Sequence, residues 1–62
     1  MGSRFEMMQR RNDVRTMLTT GVPAKRIAPY LMERYDLKRS AAYNLIKEMS
    51  DQLTEEMTNE QG

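Results

Sequence analysis

Residues 35–49 read YDLKRSAAYNLIKEM, and this stretch decides the fold that the sequence predicts. From Ala42 onward the apolar residues fall at positions 42, 45, 46, 49 and 53, which is the spacing of one face of an α-helix. The pattern predicts a helix from Lys38 or Arg39 to Leu53 that buries this face. The opposite face carries Lys38, Arg39, Ser40, Tyr43, Asn44 and Lys47.

Two shorter helical patterns precede this helix. The first covers residues 4–19 and ends before Gly21, because glycine is suited to the C-terminal cap of a helix. The second begins near Pro23, which is tolerated in a first turn, and Pro29 inside it predicts a kink or an irregular first turn. No stretch alternates with a period of two, so the sequence predicts an all-α chain. The apolar positions expected in the core of these two helices are Met7, Val14, Met17, Leu18, Ile27, Ala28, Leu31, Met32 and Tyr35.

Three segments lie outside the helical patterns. Leu37 is the only apolar residue between the second and third patterns, and we expect its side chain to pack against the core from the turn. Residues 1–3 are interpreted as an expression remnant. Residues 54–62 contain one apolar residue, Met57, so they are predicted to form an acidic flexible tail or a truncated linker. The expected architecture is one three-helix domain over residues 4–53.

The composition excludes several classes of function. The 62 residues include neither cysteine nor histidine, which removes disulfides, thiolate ligands for zinc and the usual general base. Without a base to activate a nucleophile, we expect no enzymatic activity, and no metal or cofactor is predicted. No apolar run exceeds three residues, so no membrane span is expected and the interpretation is a soluble cytoplasmic domain.

Charge is distributed unevenly along the chain. All ten basic residues lie between Arg4 and Lys47, where only four acidic residues accompany them, giving a net charge of +6. From residue 48 onward there are five acidic residues and no basic one. A basic body suggests a polyanionic partner such as nucleic acid. The alternative is a solvated surface with no partner.

Residues 21–49, GVPAKRIAPYLMERYDLKRSAAYNLIKEM, resemble a helix-turn-helix of the homeodomain-like kind. The resemblance rests on the Gly-Val entry, Ile27-Ala28, a compact turn, and a second helix in which Tyr43 precedes an aliphatic residue and Ile46. It is most similar to the N-terminal domain of phage small terminase subunits, and also to DNA-binding domains of resolvases, invertases and transposases. The chain departs from the pattern at Asp36, where glycine is usual, and at Lys38, where Ser or Thr is usual. Because lysine is a poor N-cap, we expect Asp36 or Ser40 to cap the third helix.

The resemblance implies binding of double-stranded DNA, with helix 38–53 in the major groove. The chemistry of the exposed residues agrees with that expectation. Arg39 can donate two hydrogen bonds to guanine, Asn44 matches adenine, and Ala41 can touch a thymine methyl group. The residues suited to phosphates are Ser40, Tyr43, Lys25, Arg26, Lys38 and Lys47.

Alternative interpretations remain open for these residues and for the whole chain. Tyr43 could be a half-buried core tyrosine, Asn44 could be merely solvated, and Lys47 could pair with Asp51. The favoured setting is recognition of a packaging site by a small terminase whose parent protein is a homo-oligomer, while the isolated domain is a monomer. A recombinase, transposase or transcription regulator is the alternative. A different class is a self-association module in which Met49, Leu53 and Met57 form the contact.

Overall fold

The chain folds into three α-helices in a computed structural model that describes residues 3–61, with side chains for residues 4–56. Helix α1 covers Ser3–Thr20, α2 covers Ala24–Arg34 and α3 covers Arg39–Gln61, and the described part contains no strand. The predicted all-α, three-helix chain is therefore confirmed. Met1 and Gly2 of the expected remnant, like Gly62, lie outside the described residues. Within residues 3–61, none of the helices has the length and apolar character needed to cross a membrane.

The core contains Ala42, Ile46 and Met49 of the apolar stripe that the sequence predicts, with Leu45 packed against them, whereas Leu53 is partly buried and is not part of the core cluster. Leu37 packs against this cluster from the turn, as expected. Met7 and Met32 do not join the core, because they are 46% and 37% exposed. Met7 faces an open groove between α1 and α3, and Met32 is turned about 100° from Leu31 around the α2 axis. The buried residues are Val14, Ile27, Ala28, Leu31, Ala42, Ile46 and Met49, and those packed around them include Met17, Leu18, Val22, Tyr35 and Leu45.

A Schellman motif ends α1. The Gly21 N–H donates to the Leu18 carbonyl at 3.1 Å, and the Val22 N–H donates to the Met17 carbonyl at 2.9 Å. Gly21 has a φ of +99°, in the left-handed region that favours glycine. The predicted cap is confirmed.

Replacing Gly21 with alanine is expected to destabilise the fold by about 1 kcal/mol. A Cβ at this position would meet no atom within 4 Å, so the cost comes from the backbone conformation alone. Thermal unfolding should show a lower midpoint for Gly21→Ala and a smaller decrease for Gly21→Asn, because asparagine tolerates this region better. Equal midpoints for Gly21→Ala and the parent would contradict this account.

Helix α2 accommodates a proline in its interior. The Arg26 and Ile27 N–H groups both donate to the Pro23 carbonyl, so Pro23 forms the N-cap. Pro29 cannot donate to the Lys25 carbonyl, yet the helix continues to Arg34. Lys25 and Pro29 are both exposed, so water can reach the carbonyl to which Pro29 cannot donate.

Residues 35–38 join α2 to α3, and their capping differs from the prediction. The Ala42 N–H donates to the Lys38 carbonyl at 2.9 Å, so Lys38 itself occupies the N-cap position. Neither the Asp36 nor the Ser40 side chain hydrogen bonds to a described residue, so the prediction that one of them caps α3 is wrong. Asp36 instead adopts a φ of +56°, the left-handed conformation in which a short polar side chain is tolerated and glycine is best suited.

Helix α3 is longer than predicted. It continues past Leu53 to Gln61, so residues 54–61, predicted to be an irregular tail, are helical. The segment contains neither glycine nor proline, and its glutamate residues, Met57 and Gln61 favour helix. Glu56 also accepts two hydrogen bonds from Arg15 of α1, at 3.0 and 2.6 Å, which attaches this part of α3 to the rest of the fold.

Asp13 of α1 is bound by two tyrosines of the α2 region. Tyr35 donates a hydrogen bond to its carboxylate, and Tyr30 donates another to the same oxygen at 3.1 Å. The hydrogen bond to Asp13, reinforced by burial, raises the pKa of Tyr35 from 10.0 to about 12. The protonated phenol is therefore the form that the fold stabilises.

The contribution of Tyr35 should disappear in alkali. Its pKa is higher in the folded chain than in the unfolded one, so the stabilisation is complete below pH 10 and decreases as the pH rises towards about 12. The difference in unfolding midpoint between the parent and Tyr35→Phe should therefore be largest at about pH 9, roughly halved at about pH 11 and lost only above about pH 12. A difference that stays constant across this range would show that the Asp13 hydrogen bond does not control the ionisation.

Candidate nucleic-acid interface

All nine residues predicted to contact DNA are exposed in the structure. Two of them lie in the first turn of α2, one is the N-cap of α3, and six lie in the first half of α3. The surface is therefore free to meet a partner. Its residues are Lys25, Arg26, Lys38, Arg39, Ser40, Ala41, Tyr43, Asn44 and Lys47.

Positive charge is concentrated where two helices begin. The first turn of α2 contains Lys25 and Arg26 and no acidic residue, and α3 begins with Arg39 and likewise has no acid in its first turn. No side chain caps α2, so the N–H groups of Ala24 and Lys25 have no partner among the described residues. Cations at this end oppose the helix dipole and cost some helix stability, but together with the free N–H groups they suit an anion such as phosphate.

One line of side chains on α3 points directly away from the core. Successive residues turn by about 100° around a helix axis, so Ser40, Asn44 and Lys47 lie opposite the buried face formed by Ala42, Ile46 and Met49. We call Ser40, Asn44 and Lys47 the outward line of α3. A helix that enters the major groove of DNA presents such a line of side chains to the edges of the bases.

Arg39 and Tyr43 lie beside the outward line on one flank of α3. The Arg39 guanidinium carbon is 5.8 Å from the centre of the Tyr43 ring, within the range of a cation–π interaction. Tyr43 is 37% exposed and is not one of the buried residues that form the core cluster. The ring holds the guanidinium at the surface, where its donors stay available.

The opposite flank of α3 borders an open groove of about 330 Å³. We call it the α1–α3 groove, since α1 forms its other wall. Asn44 and Ala41 lie on the α3 side, and Arg10 and Arg11 lie on the α1 side. The structure thus brings two arginines of α1 next to predicted base-reading residues. The complete lining is Met7, Arg10, Arg11, Leu37, Ala41, Asn44, Leu45 and Glu48.

We call residues 48–61 of α3 its acidic half, because all the acidic residues of this helix lie there. Two ion pairs connect α1 to this segment. Arg11 Nη2 is 3.0 Å from Glu48 Oε1, and Arg15 contacts both carboxylate oxygens of Glu56. The hydrogen bond between them raises the pKa of Arg15 and lowers that of Glu56. The sequence analysis did not predict these pairs. Their spacing was a signal, because Arg11 and Arg15 are four positions apart and Glu48 and Glu56 are eight apart, which places each set on one side of its helix.

The other eight basic residues make no ion pair with a described side chain. Lys47 does not pair with Asp51, so that alternative is wrong. The acidic half of α3 thus neutralises two arginines of α1 and leaves the predicted interface positive. The eight are Arg4, Arg10, Lys25, Arg26, Arg34, Lys38, Arg39 and Lys47.

Comparison with known proteins finds no match: no family model fits the chain, and neither a curated protein nor a solved structure is significantly similar to it. The resemblance to homeodomain-like domains therefore stays a prediction. What supports a function is the arrangement of the exposed side chains and charges.

Proposed function

We propose that the chain is a DNA-binding domain that places the first half of α3 in the major groove. One observation carries the proposal. The five cations predicted to meet DNA are exposed and make no ion pair with a described residue, whereas Arg11 and Arg15 of α1 are paired with glutamates. Unpaired cations displace counterions from DNA, which provides affinity without sequence preference. These cations are Lys25, Arg26, Lys38, Arg39 and Lys47.

In this proposal, Asn44 and Arg39 form the hydrogen bonds to the bases. Asn44 is central on the outward line, and its amide has the donor and acceptor that match the major-groove edge of adenine. Arg39 lies on the flank, but its long side chain can reach guanine from there. Lys25 and Arg26 would contact the phosphate backbone from the start of α2, as Lys38 and Lys47 would from α3.

The setting that we favour is recognition of a packaging site within a phage small terminase subunit. A single short domain offers few phosphate and base contacts, so a parent protein with several copies would gain affinity by binding them together. The DNA-binding part of a recombinase, transposase or transcription regulator would use the same surface. The resemblance of residues 21–49 supports these settings.

The isolated chain is expected to be a monomer that binds DNA weakly and in a salt-dependent way. Sedimentation will report the mass, and fluorescence anisotropy with a labelled mixed-sequence duplex will report the affinity at two salt concentrations. With about four phosphate contacts, from Lys25, Arg26, Lys38 and Lys47, the logarithm of the association constant should fall by about 3.6 for each unit of log salt concentration. An absence of binding at low salt, or an affinity independent of salt, would contradict the proposed function.

A helical interaction module is the second candidate, and one observation favours it. Phe5 and Met8 of α1 are each 70% exposed and line an open groove of about 500 Å³ beside Met49 and Gln52. Self-association through a ridge containing Met49 is less suitable, because Met49 is only 3% exposed. The side chain of Met57, predicted on the same ridge, lies outside the described residues. A stable dimer without DNA affinity would favour this candidate.

A further inference from the structure

The α1–α3 groove contains two arginines in different states. Arg10 is half-buried and makes no ion pair with a described residue. Arg11 is held by Glu48 at 3.0 Å, and both side chains of this pair are substantially exposed, at 40% and 50%. Asn44, on the outward line of α3, borders the same groove. A ligand that meets Asn44 from outside therefore lies within reach of both arginines.

We propose that the α1–α3 groove holds one phosphodiester strand of the DNA whose bases α3 reads. Arg10 donates hydrogen bonds to a phosphate of that strand, and Arg11 exchanges the Glu48 carboxylate for another phosphate. Glu48 is then an internal counterion that weakens DNA binding. The inference rests on the proposed function and adds α1 to the interface.

The Arg11–Glu48 pair indicates which ligand the groove accepts. A guanidinium presents a planar set of donors that matches carboxylate and phosphate oxygens alike, so the Glu48 carboxylate occupies a place that a phosphate can take. Exposed ion pairs of this kind contribute little to stability, so the exchange costs little. The strand would also be close to the bases, because the Asn44 side chain borders both the groove and the outward line.

The first test removes the unpaired arginine. Arg10→Gln should weaken binding to a mixed-sequence duplex and lower the salt slope by about 0.9, since one phosphate contact is lost. Raising the salt about fourfold should then reduce its affinity about 3.5-fold less than that of the parent. Arg10→Lys should recover most of the affinity. Arg15→Gln is the matched control, because it removes the same charge from α1 outside this groove.

The second test removes the internal counterion. Glu48→Gln should raise the affinity about three- to fivefold at about 0.1 M salt, because a negative charge next to a phosphate is lost. Glu56→Gln makes the same change in charge in the other Arg–Glu pair. It lies about 12 Å further along α3, beyond the screening length of about 10 Å, and should change the affinity much less. Circular dichroism will verify that all the variants fold.

The outcomes separate this inference from the proposed function. If the parent does not bind DNA at any salt concentration, both fail. If the parent binds but Arg10→Gln binds equally well with the same salt slope, the groove does not hold the strand and only the inference fails. The same conclusion follows if Glu48→Gln and Glu56→Gln raise the affinity equally.

Discussion

Leu31→Ala is expected to remove about half of the protein's stability or more. Leu31 is completely buried in α2, among Ile27 and Ala28 of its own helix and residues of the other two helices. Truncating a buried leucine costs about 2–5 kcal/mol. At about 0.05–0.15 kcal/mol per residue, a chain of 62 residues has a total stability of only about 3–9 kcal/mol. Urea denaturation followed by far-ultraviolet circular dichroism will measure the loss.

Leu45→Ala provides the matched control for this experiment. Leu45 is the same residue type in a helix, but it is only partly buried and borders the open α1–α3 groove. Its truncation should shift the urea midpoint less than that of Leu31, because water already reaches part of the side chain. A parent-like midpoint for Leu31→Ala, or a larger loss for Leu45→Ala, would contradict the described core.

The comparison of Leu31 with Leu45 also shows what periodicity can predict. The apolar spacing identified both residues as inward-facing, because a period of 3.6 residues marks the face of a helix that packs. It could not rank them, since the depth of a residue depends on where the other helices cross. The same limit explains Met32, which belongs to an apolar cluster in the sequence but lies at the edge of the buried face of α2.

Local backbone chemistry was predictable where a single residue type determines it. Gly21 marked the end of α1, because the residue that follows a helix often adopts a positive φ and glycine tolerates that conformation best. Asp36 stands where glycine is usual in the turns that this stretch resembles, and it adopts a φ of +56°. The cap of α3 was not predictable in this way, since the Lys38 backbone fills the position without help from its side chain.

Contacts between distant segments lay beyond sequence reasoning. Arg15 and Glu56 are 41 positions apart, so their bond depends on how α1 and α3 cross. The residues of the candidate interface could be predicted from their type and their position on the exposed face of α3. The residues of α1 that lie next to them could not, because these contacts also depend on how the helices cross. Arg10 and Arg11 are not among the residues predicted to contact DNA, whereas the structure brings them beside Asn44.

Arg39→Ala and Asn44→Ala should each weaken binding to the preferred DNA site by about 1–3 kcal/mol. Each change removes up to two hydrogen bonds to one base, so the preference should relax at one position of the site and persist elsewhere. The preferred site will first be selected from a pool of random duplexes. Anisotropy titrations of the parent and both variants will then compare that site with versions altered at single positions.

Lys25→Ala and Lys47→Ala are the controls, because these lysines are exposed cations assigned to phosphates. They should weaken binding to all sequences alike and reduce the salt slope by about 1, without changing the order of preference. The Arg39 and Asn44 variants should thus lose preference at one position of the site, whereas the two lysine variants should bind all sequences more weakly. A general loss of positive charge would produce only the second result. If Asn44→Ala and Arg39→Ala fold normally and keep the affinity and preference of the parent, α3 does not read the bases. Arg10 and Arg11 of α1 would then be the residues to test for base contacts.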